Sequence, residues 1–150
     1  MDIQPYSYQT DTLVPPFPDD RAVVFYDGVC VLCSGFARFV IRHDVERKIM
    51  LCQAQSPLGQ AIYRHYGLSA TEFETYLLLW QGRLFVKSAA FFEIMGIIGG
   101  VWSLVRILRI FPVFIRERTY DFIARNRYRW FGKRDLCEAP SLEERGRFLS

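Results

Sequence analysis

The stretch Ala22-Val23-Val24-Phe25-Tyr26-Asp27-Gly28-Val29-Cys30-Val31-Leu32-Cys33 decides how the chain is read. Its first five residues are a continuous apolar run ended by the turn pair Asp27-Gly28, the pattern of a strand buried on both faces. Helical spacing follows. From Val31 to His43, Phe36, Phe39 and Val40 recur on one face while Arg38 and Arg42 fall elsewhere. Cys30 and Cys33 are therefore expected at or inside the first turn of a helix that leaves a strand.

Working outward, residues 47–52 (RKIMLC) give a second strand. Ser56-Pro57 then supplies an N-cap with proline at the first helical position, opening a helix that runs to about Tyr66 before Gly67. Residues 76–80 (YLLLW) and 83–87 (RLFVK) are two strands joined by Gln81-Gly82, the length and residue type of a tight antiparallel hairpin. Beyond Ser88 the pattern is helical, broken at Gly99-Gly100 and Pro112, with a long stretch from Pro112 to about Phe131. The order β-α-β-α-β-β-α predicts an α/β, thioredoxin-like fold with additional C-terminal helices. Its mixed four-stranded sheet has two parallel strands with a right-handed crossover and a hairpin adding an antiparallel edge.

A chain of 150 residues, 51% hydrophobic and 23% charged, has the size and composition of one domain that buries a core. Disorder, collagen and coiled coil are excluded as its main state. Pro5, Pro15, Pro16 and Pro18 punctuate residues 1–20, which read as an irregular N-terminal arm ahead of a single thioredoxin-like domain over 21–150 with its C-terminal helical extension. There is no internal repeat. The arm has no basic residue and no apolar core of signal-peptide length, and four unevenly spaced cysteines are too few for a disulfide-stapled scaffold. A reducing, cytoplasmic setting is the expectation.

At a helix N-terminus the unpaired backbone N–H groups and the positive end of the dipole favour a thiolate, which makes Cys30 the expected attacking thiol. Cys33 lies nearly one turn on, placed to resolve a mixed disulfide. Asp27, three residues before Cys30, either holds a proton for the pair or accepts hydrogen bonds at the helix entry, and the capping or turn role is favoured. Competing readings of C-x-x-C are two small buried hydrophobes or half a zinc site. Zinc needs further ligands, and Cys52, Cys137, His43 and His65 stand apart in sequence. Ser34 rather than His follows Cys33, which excludes c-type haem. No metal and no cofactor is expected beyond the redox-active disulfide of Cys30 and Cys33. Cys52 ends an apolar strand and reads as core. Cys137 is open among a surface thiol, a third redox partner and an inert packing residue, the last slightly favoured.

These residues resemble the DCC family of predicted thiol-disulfide oxidoreductases, named for the Asp and two Cys of D-x-x-C-x-x-C, here Asp27, Cys30 and Cys33. The likeness runs from about residue 23 to 140. It includes FYDGVCVLC, the Lys87-Ser88-Ala89-Ala90 that follows the hairpin, and the late segment YDFIARNRYRWFGKRDLC with Tyr120, Arg125, Asn126, Arg127, Tyr128 and Cys137. The resemblance implies a thioredoxin-like fold and a disulfide activity. One departure from ordinary thioredoxins is that Glu72-Phe73-Glu74-Thr75, leading into the third strand, contains no proline where thioredoxins place a cis-proline beside the active cysteines.

Residues 94–105 carry no charge for 12 positions, too short for the ~20 residues of a membrane span. They read as a buried helix pair broken at Gly99-Gly100, favoured over a membrane-surface or partner patch. The net charge of +3 conceals an asymmetry: residues 101–150 carry eleven basic and six acidic side chains. Arginines from Arg106 to Arg134 alternate with Tyr120, Phe122, Tyr128, Trp130 and Phe131. Ile115, Phe122, Ile123 and Trp130 recur at helical spacing and are expected to pack on the sheet, leaving the arginines on a solvated face. One arginine near Cys30 would further stabilise its thiolate.

The leading reading is a thiol-disulfide oxidoreductase acting on a disulfide-containing protein or a low-molecular-weight thiol. The alternative is a redox-inactive thioredoxin-like binding module that engages a partner through the basic-aromatic C-terminal helix. Peripheral membrane contact belongs to that alternative, and nucleic acid is not the expected partner of so small a net charge.

Overall fold

The computed structural model of the chain describes residues 4–28, 30–69, 76–132 and 147–149. β1 (Ala22–Tyr26) is buried at every position and pairs in parallel with β2 (Ile49–Gln53), Ala22 opposite Ile49 and Tyr26 opposite Gln53. β3 (Leu77–Trp80) runs antiparallel along the other side of β1, and β4 (Arg83–Val86) runs antiparallel to β3. Gln81 and Gly82 between them have φ of 50° and 74°, the paired left-handed geometry of a type I′ turn, whose twist matches that of the two strands. The order β4-β3-β1-β2 is the thioredoxin-like arrangement that the element order predicts.

Because successive side chains of a strand point to opposite faces, β1 feeds two cores. Val23 and Phe25 pack with Leu58, Ile62 and Tyr63 of α2 (Pro57–His65). Val24 and Tyr26 pack with Cys33 and Val40 of α1 (Val31–His43) and Ile94 of α3 (Lys87–Ile98). Ser56 caps α2, its Oγ accepting the Gly59 N–H at 3.0 Å, with Pro57 in the first turn as expected. On the α2 face the N-terminal arm forms a 3-10 turn, Ser7–Thr10, that puts Tyr8 into the core, its hydroxyl donating to Asp19 Oδ2 at 2.9 Å. His65 ties the arm to α2 through Ser7 Oγ at 2.9 Å and Asp11 Oδ2 at 2.7 Å.

The sheet has five strands rather than four. β5 (Phe148–Leu149) runs parallel to β2, with Phe148 opposite Leu51. Two residues carry no period of their own, so the strand is invisible in sequence; what holds it is the residue before it. The buried Arg147 donates to Asp44 Oδ2 at 2.5 Å and to the carbonyls of Ile41 at 3.0 Å and Ile49 at 3.2 Å. Asp44 also accepts the N–H groups of Lys48 and Ile49, so one carboxylate joins the end of α1, β2 and β5.

Two expectations for the C-terminal half are corrected. The uncharged stretch 94–105 is not a buried helix pair. The α3 part is buried, but after Gly99 the chain forms a 3-10 helix, Gly100–Ile110, with no buried residue. It is held through Trp102, edge-on to Phe39 at 4.8 Å and His43 at 5.0 Å, and through Arg109 to Glu93 at 2.6 Å. Likewise Ile115, Phe122, Ile123 and Trp130 of α4 (Val113–Phe131) are not packed on the sheet: Phe122 and Trp130 are exposed, Ile115 and Ile123 are partly exposed at a cavity beside Cys33, and the buried residue of that helix is Arg127. The cause is a charge pair. An inward arginine with a carboxylate waiting for it outweighs the apolar stripe in setting the rotation of α4, which packs on α1 and α3. Among the described residues, no helix is long and apolar enough to cross a membrane.

Candidate active site

The parallel pairing of β1 and β2 brings the loops at their C-terminal ends side by side, the usual place for a site in an α/β sheet. Since Tyr26 lies opposite Gln53, the next residues of each strand also meet, and the Ala54 N–H donates to the Tyr26 carbonyl at 2.7 Å. Gln55 is thereby aimed at Asp27. Its Nε2 donates to Asp27 Oδ1 at 2.5 Å while its Oε1 accepts the Gly28 N–H at 2.9 Å. The other carboxylate oxygen, Oδ2, accepts from Arg127 Nη2 at 3.2 Å and from the hydroxyl of Tyr128. Arg127 Nη2 also reaches Tyr128 Oη at 3.1 Å. Asp27 is thus a buried anion shared by the β2–α2 loop and α4, while its backbone carbonyl forms the turn by accepting the Cys30 N–H at 3.3 Å.

Cys30 is the N-cap of α1. Its φ and ψ are extended and its Sγ accepts the Cys33 N–H at 3.3 Å, the role a Ser or Asp oxygen ordinarily fills. A cap of this kind is best satisfied by an anionic sulfur. The hydrogen bond from the Cys33 thiol, reinforced by that backbone N–H and by the charge of Arg127, brings the Cys30 thiol from its ordinary 9.0 down to about 7 against the opposing effects of burial and Asp27. Cys33 is moved the opposite way: its hydrogen bond to Cys30 and its burial keep it protonated. The two sulfurs are thereby separated into a thiolate and the thiol that hydrogen-bonds it. Both are reduced and buried, Cys30 completely.

Against Cys33 lies a cavity of about 590 Å³ with an almost wholly apolar lining. Cys33, Tyr76, Phe36 and Phe92 line it, as do Leu108 and Ile115 from the outer elements. The Tyr76 hydroxyl hydrogen-bonds Cys33, and the Tyr76 N–H donates to Tyr120 Oη at 3.1 Å, which fixes α4 to the start of β3. Cys52 sits elsewhere, in the α2-side core, with burial raising its thiol to about 11. Among the described residues no group of three or more His, Cys, Asp or Glu side chains is placed to hold a metal ion. Cys137 and the proline-free segment 72–75 lie outside the described residues.

Gln55 escapes a reading by motif, whereas Arg127 and Tyr128 belong to the late segment already singled out, Arg127 being the arginine that favours the Cys30 thiolate. Gln55 was legible in principle from the register of two parallel strands, which puts the residues after β2 beside the D-x-x-C turn. Tyr128 and Arg127 belong to a helix face marked by Tyr120 and Ala124 at helical spacing, a face that apolar periodicity alone assigns wrongly.

A family model described as DCC1-like thiol-disulfide oxidoreductase matches residues 24–133, a span that contains Asp27, Cys30, Cys33 and Arg127. The chain belongs to this family. It is 35% identical over 127 residues to the uncharacterized protein YuxK of Bacillus subtilis, covering 85% of this chain and 93% of that one. It is also 35% identical over 121 residues to a chloroplastic DCC family protein of Arabidopsis thaliana, covering 80% of this chain and 70% of the plant protein. No solved structure matches the chain.

Proposed function

We propose that this protein exchanges disulfides through Cys30 as nucleophile and Cys33 as resolving thiol. The observation that carries the reading is the capping geometry: a low-lying Cys30 thiol whose sulfur accepts the Cys33 N–H, one helical turn from a thiol held protonated. The Cys30 thiolate attacks one sulfur of a substrate disulfide, forming a mixed disulfide and expelling the other sulfur as a thiolate, which takes a proton from solvent. Cys33 then loses its proton and attacks Cys30 Sγ, expelling the second substrate thiol. Two electrons have moved from the pair to the substrate, and the Cys30–Cys33 disulfide remains. Asp27 and Arg127 act as positioning residues that hold charge of both signs beside the pair.

The downward shift of the Cys30 thiol is the direction an attacking thiol at a helix N-terminus requires. The direction of electron flow we favour is that of a reductant working in a reducing compartment such as the cytoplasm. Candidate substrates are a disulfide-containing protein or a low-molecular-weight disulfide. Because Cys30 is wholly buried, exchange waits on local opening around it.

The test is reduction of a model aryl disulfide in the presence of a dithiol reductant. Wild type is expected to turn over, Cys30→Ser to be inert, and Cys33→Ser to accumulate a mixed disulfide at Cys30 visible by mass. Equal rates for wild type and Cys30→Ser would remove the reading in favour of the redox-inactive binding module, for which the exposed basic-aromatic face of α4 speaks.

A further inference from the structure

Residues three apart share a face in a 3-10 helix. In Gly100–Ile110 that rule lines up Val101, Leu104, Ile107 and Ile110, and these are 69, 60, 60 and 79% exposed. The apolar surface continues along the chain into α4 through Phe114, and Trp130 near the end of that helix is half exposed. A monomeric protein ordinarily keeps contiguous apolar surface small, and a larger patch marks an interaction site.

The exposed charge of the same segment is mostly of one sign. Among the described residues of 100–132 the arginines 106, 109, 118, 125 and 129 are exposed, Arg109 being paired with Glu93 at 2.6 Å. The two acids of the segment are both engaged, Glu117 accepting from Ser88 Oγ and the partly exposed Asp121 pairing with Lys87 at 3.0 Å. A second copy of the chain laid on this surface would set arginine against arginine. The combination of an apolar stripe, an exposed Trp and an excess of exposed cations over acids matches an anionic lipid surface, whose headgroups take the arginines and whose acyl boundary takes the stripe. Leu108 and Ile115, exposed members of the surface, also line the cavity that reaches Cys33, so surface and cavity are continuous.

We propose that the surface formed by residues 100–131 docks on an anionic bilayer, with the mouth of the Cys33 cavity against the lipid. The docking goes beyond the redox reading and does not rest on it.

The test is co-sedimentation of the full chain with vesicles of phosphatidylcholine alone or mixed with phosphatidylglycerol. Partition into the mixed vesicles is expected, with little into phosphatidylcholine and a loss at high salt. Arg118→Gln with Arg125→Gln should lower partition by on the order of fivefold per arginine. Leu104→Glu with Ile107→Glu, both at exposed positions and therefore expected to melt like wild type, should abolish it. Without any variant, brominated lipid should quench tryptophan fluorescence, and Trp130→Phe should remove most of that quenching. Cys30→Ser should bind as wild type does, which separates failure of docking from failure of the redox reading. Three results would each overturn the proposal: no partition by the folded wild type, partition untouched by the Leu104 and Ile107 substitutions, or a concentration-dependent dimer in place of vesicle binding.

Discussion

Asp27 and Arg127 stand 100 residues apart in sequence and 3.2 Å apart in space, their side chains 1% and 6% exposed. The pair joins the D-x-x-C turn to α4, and its charges lie beside the Cys30 thiolate, Arg127 favouring it and Asp27 opposing it. Substituting the arginine strands a buried carboxylate, a change that typically costs about 3–5 kcal/mol. Arg127→Met is therefore expected to lower the urea midpoint markedly and to move the Cys30 thiol upward toward its ordinary value. Arg127→Lys should recover part of both. Urea denaturation and thiol titration on the same samples check this, and a stability loss without any movement of the thiol would restrict Arg127 to a structural role.

Thiolate absorbance against pH gives a second check. One thiolate is expected to appear with a midpoint of about 7 in the reduced wild type and to be missing from Cys30→Ser. Cys33→Ala removes the largest cause of the depression, so the midpoint should rise. The folded value of Cys30 is below its unfolded value, so the unfolded state binds more protons between about pH 7 and 9. Over that window the reduced wild type should gain stability relative to Cys30→Ser as pH rises, and lose that gain as pH falls through about 7. Cys33 and Cys52, both shifted upward, stay protonated throughout it.

The C-terminal strand supplies a third. Arg147 gives its guanidinium to Asp44 and to two carbonyls, and without it Asp44 is a buried anion at the junction of α1 and β2. Arg147→Ala is expected to cost about 3–5 kcal/mol by the same reasoning, and in a domain of this size each kcal/mol corresponds to roughly 2–4 °C of melting temperature. Hydrogen exchange should show loss of protection in β5 and along the adjoining edge of β2, with β3 and β4 unaffected.

What the sequence discloses follows from which forces are periodic. The strands Ala22–Tyr26 and Leu77–Trp80, the cap at Ser56 and the hairpin at Gln81-Gly82 are written in apolar runs and turn residues, so they are legible. The position of Cys30 at the start of α1 follows from the same signals. The rotation of α4 is set by one long-range ion pair, which leaves no period. Reading its apolar residues as inward-facing therefore turns the helix the wrong way and hides Arg127. β5 is too short for a pattern and depends on Arg147 meeting Asp44, again a pairing between distant residues. Gln55 lies between, since it follows from strand register once the parallel pair is assumed.

The central claim is that Cys30 and Cys33 form one two-electron couple. Differential alkylation with mass spectrometry across a graded series of thiol/disulfide ratios reads each cysteine separately. A single reversible two-electron transition shared by Cys30 and Cys33 is expected, while the buried Cys52 stays reduced throughout. If Cys30 and Cys33 never pair, or titrate independently of one another, the account of this site as a disulfide-exchange centre is wrong.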